Sequence, residues 1–181
     1  MSNPAWAKYV ARNTAETALA LERHGVHVPA IKAATERLGV FAFGTAPGID
    51  GEFIRRDRNG DPVIVLPAIV AGEVVDIVAM RLSDPGEAVA VRQLCQVLGE
   101  EQADYDLYVD GQTTVWATPL DWLRAGADGC CVVDWTRPPY PLMHGELVCQ
   151  TLDLAQRIRS LFAIPAQGPR LLVRQADGVA A

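Results

Sequence analysis

The residues that invite chemistry in this sequence are its thiols and imidazoles. Cys130, Cys131, His144 and Cys149 are zinc-ligand types lying within twenty positions of one another, with Cys95 further upstream. A tetrahedral ion needs ligands that converge, yet neighbours on a strand point to opposite faces. Cys130 and Cys131 are adjacent, without the two-residue spacer of a zinc knuckle, so we expect small apolar thiols packed in a core and no metal ligands. His144-Gly145-Glu146 matches the start of the zinc-deaminase signature, but that chemistry needs a Pro-Cys-x-x-Cys downstream. Only Cys149 follows.

Nucleophilic catalysis by Cys149 would require activation by His144 or by a helix N-terminus, with Glu146 as the third member of a small cysteine-dependent enzyme. We keep that as the alternative reading; the expected set of catalytic residues is empty. Ser83 and Ser160 lack a Gly-x-Ser-x-Gly setting. The glycine-rich stretch Gly44–Gly51 contains neither standard nucleotide-binding loop, so no cofactor is expected. Glu100, Glu101, Asp104 and Asp106 read as a solvated acidic loop rather than a magnesium site. An acidic run can also occupy the basic groove of another protein, a use that rests on sign of charge alone.

The richest binding chemistry lies in Asp134-Trp135-Thr136-Arg137-Pro138-Pro139-Tyr140-Pro141-Leu142-Met143-His144. Prolines stiffen this connection, and Trp135, Arg137, Tyr140, Met143 and His144 are residue types that dominate protein interfaces. The expectation is a protein-binding surface there, with Trp135→Ala or Arg137→Ala abolishing capture of the partner while the melting temperature stays put.

Charge narrows the partner. The 181 residues carry 22 acidic and 16 basic side chains, a net charge of −6, opposite in sign to a nucleic-acid-binding footprint. Nucleic acid is therefore not the expected partner, and a binding module built on the N-terminal helices stands as a third reading. Met1–Arg12 has no apolar run and no segment is long enough to span a bilayer, which predicts no signal peptide, no membrane and a cytoplasmic protein with reduced thiols.

The elements that must position these residues follow from periodicity. Residues 4–24 and 29–38 read as two helices ended by Gly25 and Gly39, a helical hairpin occupying 1–40. Phe41–Gly51 reads as a loop or linker. A core domain over 52–165 begins with a meander: Glu52–Arg56 and Pro62–Ile69 around Asn59-Gly60, then Val74–Leu82. Pro67 marks its strand as bulged or at an edge. Ala88–Arg92 reads as a strand turning into a helical segment at Val91, Cys95 and Leu98. Tyr105–Val109 and Thr113–Ala117 read as a hairpin about Asp110-Gly111. Thr118 caps a short helix over Pro119–Ala125, and Gly129–Trp135 is a buried strand. A long helix over Gly145–Phe162 covers the sheet, with Arg157 and Arg159 complementing its C-terminal end. The tail, 166–181, adds at most a strand at Leu171–Val173. The expected class is α+β with a mostly antiparallel sheet.

The run from Trp116 to Asp134, with Val97-Leu98-Gly99-Glu100 before it, resembles a segment of uncharacterised accessory proteins of alphaproteobacterial phages and prophages, encoded near primase and other replication genes. The likeness covers about residues 74–135. It implies a mobile element in a bacterial cytoplasm and no particular activity. The reading that results is a non-enzymatic binding or accessory protein acting through a protein–protein surface.

Overall fold

Two sheets carry the described residues. The computed structural model describes residues 14–39, 41–46, 61–162 and 170–173. The expected first turns of the N-terminal helix, the strand Glu52–Arg56 and the Asn59-Gly60 turn lie outside the described residues. Helices α1 (Thr14–Arg23) and α2 (Val28–Leu38) come first. Strands β1 (Ala42–Ala46), β2 (Asp61–Val70), β3 (Glu73–Arg81) and β4 (Ala88–Ala90) then form an antiparallel sheet in that order. The central β2 buries Val63–Ala68 continuously, as a strand covered on both faces must. The loop expected over Phe41–Gly51 is in part strand β1, paired with β2 from Ala42 opposite Val65 to Ala46 opposite Asp61. Gly44 and Pro47 suggested a loop, while the alternation of Phe41, Phe43 and Thr45 carried the strand signal. Pro67 lies past the end of β1 and beside a register shift at Ala68/Ile69, where a missing N–H is tolerated.

The expected antiparallel pairing holds throughout the first sheet, whereas the second is mostly parallel. Its order is β5 (Val97–Leu98), β7 (Cys130–Val132), β6 (Gln112–Trp116), β8 (Glu146–Cys149), β9 (Arg170–Val173). β6 runs parallel to both β7 and β8, and β8 to β9; β5 alone is antiparallel. Parallel neighbours require crossovers, and α4 (Pro119–Arg124) and α5 (Leu152–Leu161) supply two of them.

Two further corrections follow. The hairpin strand over Tyr105–Val109 is instead helix α3 (Glu100–Val109). Ala103 and Leu107, four apart, turn inward, and Gln102 donates to Asp106 at 2.6 Å along the same helix, which outweighs the strand preference of the two tyrosines. The long C-terminal helix is also not there: Glu146–Cys149 is β8, with Leu147 and Cys149 buried in alternation, and only Leu152–Leu161 is helical. Thr151, inside the expected helix, is instead the cap of the shorter one, accepting from the Leu154 N–H at 3.2 Å. The cap at Thr118 is as the sequence predicts, with the Asp121 N–H donating to its hydroxyl at 3.1 Å.

The sheets are joined by one carboxylate. Asp76, wholly buried on β3 beside the bulge, accepts from the N–H groups of Ile77 (2.7 Å), Arg92 (2.9 Å), Leu94 (2.8 Å) and Cys95 (3.0 Å). It thereby fixes the connection that leads from β4 into β5. Around the joint, a core containing Leu21, Ala34, Leu66, Met80, Trp122 and Cys131 unites the N-terminal helices, the first sheet and one face of the second. The opposite face packs Cys130, Cys149, Leu142 and Ile158. Close approach at the β5–β7 end needs Gly99, at φ 76°, because a Cβ there would strike the Gly129 carbonyl.

Replacing Asp76 by Ala strands four backbone donors, those of Ile77 and Cys95 buried and those of Arg92 and Leu94 partly buried, and we expect a loss of roughly 3–4 kcal/mol. Asp76→Asn, which keeps one acceptor oxygen, should lose less. Urea denaturation of the three proteins checks the order; equal midpoints would contradict the joint.

Candidate functional site

In open sheets with parallel strands, functional groups gather beyond the carboxyl ends of the strands, where the strand order reverses direction. Here the chain passes from β6 out to β7, then back across β6 to β8. The carboxyl rim is therefore built by Ala117 and Thr118 after β6, Val133–Arg137 after β7, and Gln150 and Thr151 after β8. Gln150 closes it: its N–H donates to the Val115 carbonyl at 3.3 Å and its side-chain oxygen accepts from the Ala117 N–H at 3.4 Å.

Asp134 organises the middle of this rim. One carboxylate oxygen accepts from the Thr136 N–H (2.9 Å) and hydroxyl (2.6 Å), and the other from Arg137 Nε at 2.8 Å. Partial burial pushes its pKa up, but the Thr136 bonds and the Arg137 guanidinium outweigh burial and hold it below the ordinary value. The stabilisation is thus present above the usual aspartate range of about 3.9 and is lost as pH falls through the lower folded value. From beneath, the Gln96 side-chain amide donates to the carbonyls of Arg137 (3.1 Å) and Pro138. Trp135 packs against the second core, with the Arg157 guanidinium of α5 3.8 Å from its ring centroid. Arg157 thus has a role beyond the helix end to which the sequence assigned it.

The five expected binding residues do not form one patch. Trp135 and Arg137 stand at the carboxyl rim. The chain then dips through a short 3-10 turn (Tyr140–Leu142), where Leu142 is buried and Tyr140 is exposed, packing against α3. Met143 and His144 come just before β8, hence at the amino end of the same parallel sheet. The two ends are separated by a strand's length, roughly 10 Å at 3.3 Å per residue. Gln96 and Asp134 are the positioning groups that sequence reasoning missed. Asp134-Trp135-Thr136 carries an Asx-turn signal; nothing local marks Gln96.

The thiols are placed against chemistry. Cys130 faces one core and Cys131 the other, as alternation on a strand requires. Among the described residues, no three His, Cys, Asp or Glu side chains gather as a metal-binding group. Burial pushes the thiol of Cys149 up to about 11 and that of Cys95 to about 12, with Asp76 and Glu100 adding to the second; Cys130 and Cys131 are raised further. His144 is exposed, and Cys149 lies inside at the opposite end of β8, so the two are not a nucleophile–base pair. Glu146 opens a strand, not the first turn of a helix.

A separate cleft of about 200 Å³ lies between α2, β2, the start of α3 and the later part of α4, lined by Leu38, Pro67, Ile69 and Trp122. Its charged members are already engaged. Arg37 donates to the Gly126 carbonyl at 2.7 Å and pairs with Asp128 at 3.0 Å, and Glu101 accepts from the Gly72 N–H at 2.6 Å.

No family model matches the chain, and no curated protein matches it. Its fold is similar to two solved structures of the RNA polymerase domain of the Mycobacterium tuberculosis primase DnaG. One has a TM-score of 0.55 at 17% identity, covering 95% of this chain and 73% of that one. The other, in complex with a double-stranded DNA oligomer with a 6-nucleotide overhang, has a TM-score of 0.53 at 18% identity, covering 93% and 69%. At such identity the likeness is one of fold. Among the described residues, no helix is long and apolar enough to cross a membrane.

All four thiols should stay silent to a thiol reagent at pH 8 and react together once denaturant is added. Because the unfolded thiols ionise first, stability should fall as pH climbs above about 8.5; a thiol reacting quickly in the native state would contradict the burial. The packing of Trp135 also changes its test: Trp135→Ala should cost roughly 2 kcal/mol and lower the melting temperature, rather than leave it unchanged.

Proposed function

We propose that this chain is a binding protein with no catalytic step of its own, built on a scaffold similar to the primase polymerase domain, that meets a protein partner through the connection 134–144. The observation that carries the reading is how firmly that connection is held. Gln96 and Arg157 hold Arg137, Pro138 and Trp135 from two other parts of the chain, and Asp134 holds Arg137 from within the connection, while Arg137 and Tyr140 remain exposed. A surface ordered before it binds loses less entropy on association, and Arg and Tyr are the types that then contribute most. The likeness of residues 74–135 to phage and prophage proteins encoded near primase genes supports a replication setting in a bacterial cytoplasm.

A second reading takes nucleic acid as the partner. It is favoured by the neighbour solved with partly double-stranded DNA, and opposed by the net charge of −6.

A photo-crosslinking amino acid at position 140, compared with one at Glu36 on α2, separates them in the native host. We expect a discrete cross-linked protein from position 140 alone, reduced about tenfold or more by Arg137→Ala, with the melting temperature lowered by no more than the loss of a surface ion pair entails. No cross-link from 140 would overturn the protein reading. A duplex with a 6-nucleotide overhang, retained by the protein with an affinity that falls steeply with salt, would establish the second.

A further inference from the structure

Helix α3 is apolar on both faces, and only one is covered. Ala103 and Leu107 pack inward. On the outside, Glu101, Asp104, Tyr105, Tyr108 and Val109 are all exposed, at the i, i+3, i+4, i+7, i+8 spacing of a single stripe. Tyr108 is 90% and Tyr105 62% exposed. A helix in a folded domain normally keeps its large apolar side chains on the buried side.

The charge around this stripe selects what could cover it. Between Arg92 and Arg124 the sequence has no Lys, Arg or His, but has Glu100, Glu101, Asp104, Asp106, Asp110 and Asp121. These six equal the net charge of −6, so the remainder of the chain is balanced. Only Asp121 has a cation partner among the described residues. Glu100 shows the resulting crowding: burial, then Asp104 and Glu101, raise its pKa.

We propose that the outer stripe of α3, with Tyr105, Tyr108 and Val109 at its centre and Asp104 at its edge, docks an arginine-rich segment of another protein. The tyrosine faces accept guanidinium groups by stacking, and the carboxylates draw the same groups in. A second copy of this chain would bring two such windows of like charge together, and a nucleic acid or an anionic membrane carries the wrong sign. This inference stands on α3 and is independent of whether connection 134–144 meets a partner.

The probe is a nona-arginine peptide, titrated by calorimetry against the full chain and read beside nona-lysine. Expected is binding to the wild type that prefers arginine and weakens about tenfold in Tyr105→Ala/Tyr108→Ala. Both tyrosines are exposed, so the melting temperature should hold. Asp104→Asn should weaken binding, and Glu36→Gln on α2, the charge control, should not. Equal affinity for the two peptides, or a double variant that binds like the wild type, would overturn the stripe in favour of bulk charge. A dimer that the tyrosine variant dissociates, or single-stranded DNA held through the tyrosines, would overturn the choice of occupant.

Discussion

A buried carboxylate with four backbone donors and, among the described residues, no cation partner is the interaction on which the rest of this molecule depends. Asp76 lies on one sheet and its donors at 92, 94 and 95 lie on the path to the other. A buried charge is tolerated only when its lone pairs are filled, so the connection has little freedom to adopt another shape. β5 follows two residues after Cys95, and Gln96, the first of those two, reaches up to the carbonyls of Arg137 and Pro138. The position of the rim is therefore tied to the first sheet, by way of a loop that Asp76 holds at three of its N–H groups and Arg137 at the Gln93 carbonyl.

Much of the helical and antiparallel part was legible because its signals are local. The Gly39 stop, the Thr118 cap and the strand of β2 depend on residues a few positions apart. The parallel sheet was not legible for the opposite reason. Parallel pairing joins strands separated by whole crossovers, and β6, β7 and β8 show no feature that distinguishes them from hairpin strands. Two errors came from reading one periodicity through a boundary. Leu147, Thr151 and Leu154 can be placed on one helical face, but Thr151 is where an alternating strand ends and the helix begins. Likewise the tyrosines of α3 look strand-like until Ala103 and Leu107 are seen to share the buried side.

The candidate segment stands out by composition and not by arrangement. The segment from Trp135 to His144 stood out for its aromatics, arginine and prolines, and part of it does line the carboxyl rim. What the sequence could not say is that parallel strands on either side force this segment to run the length of the sheet, sending Met143 and His144 to the far end. The argument from adjacent cysteines needed only the two-residue repeat of a strand, and alternation alone separates Cys130 from Cys131.

That separation has a wider consequence. β7 is a party wall: Cys130 is packed on one side of it and Cys131 on the other. Neither compartment can loosen without moving the partition that the other leans on, so the two halves are bound to melt as one cooperative unit. A pair of neighbouring sulfur atoms thus sits where each side of that unit can be observed separately from within a single peptide.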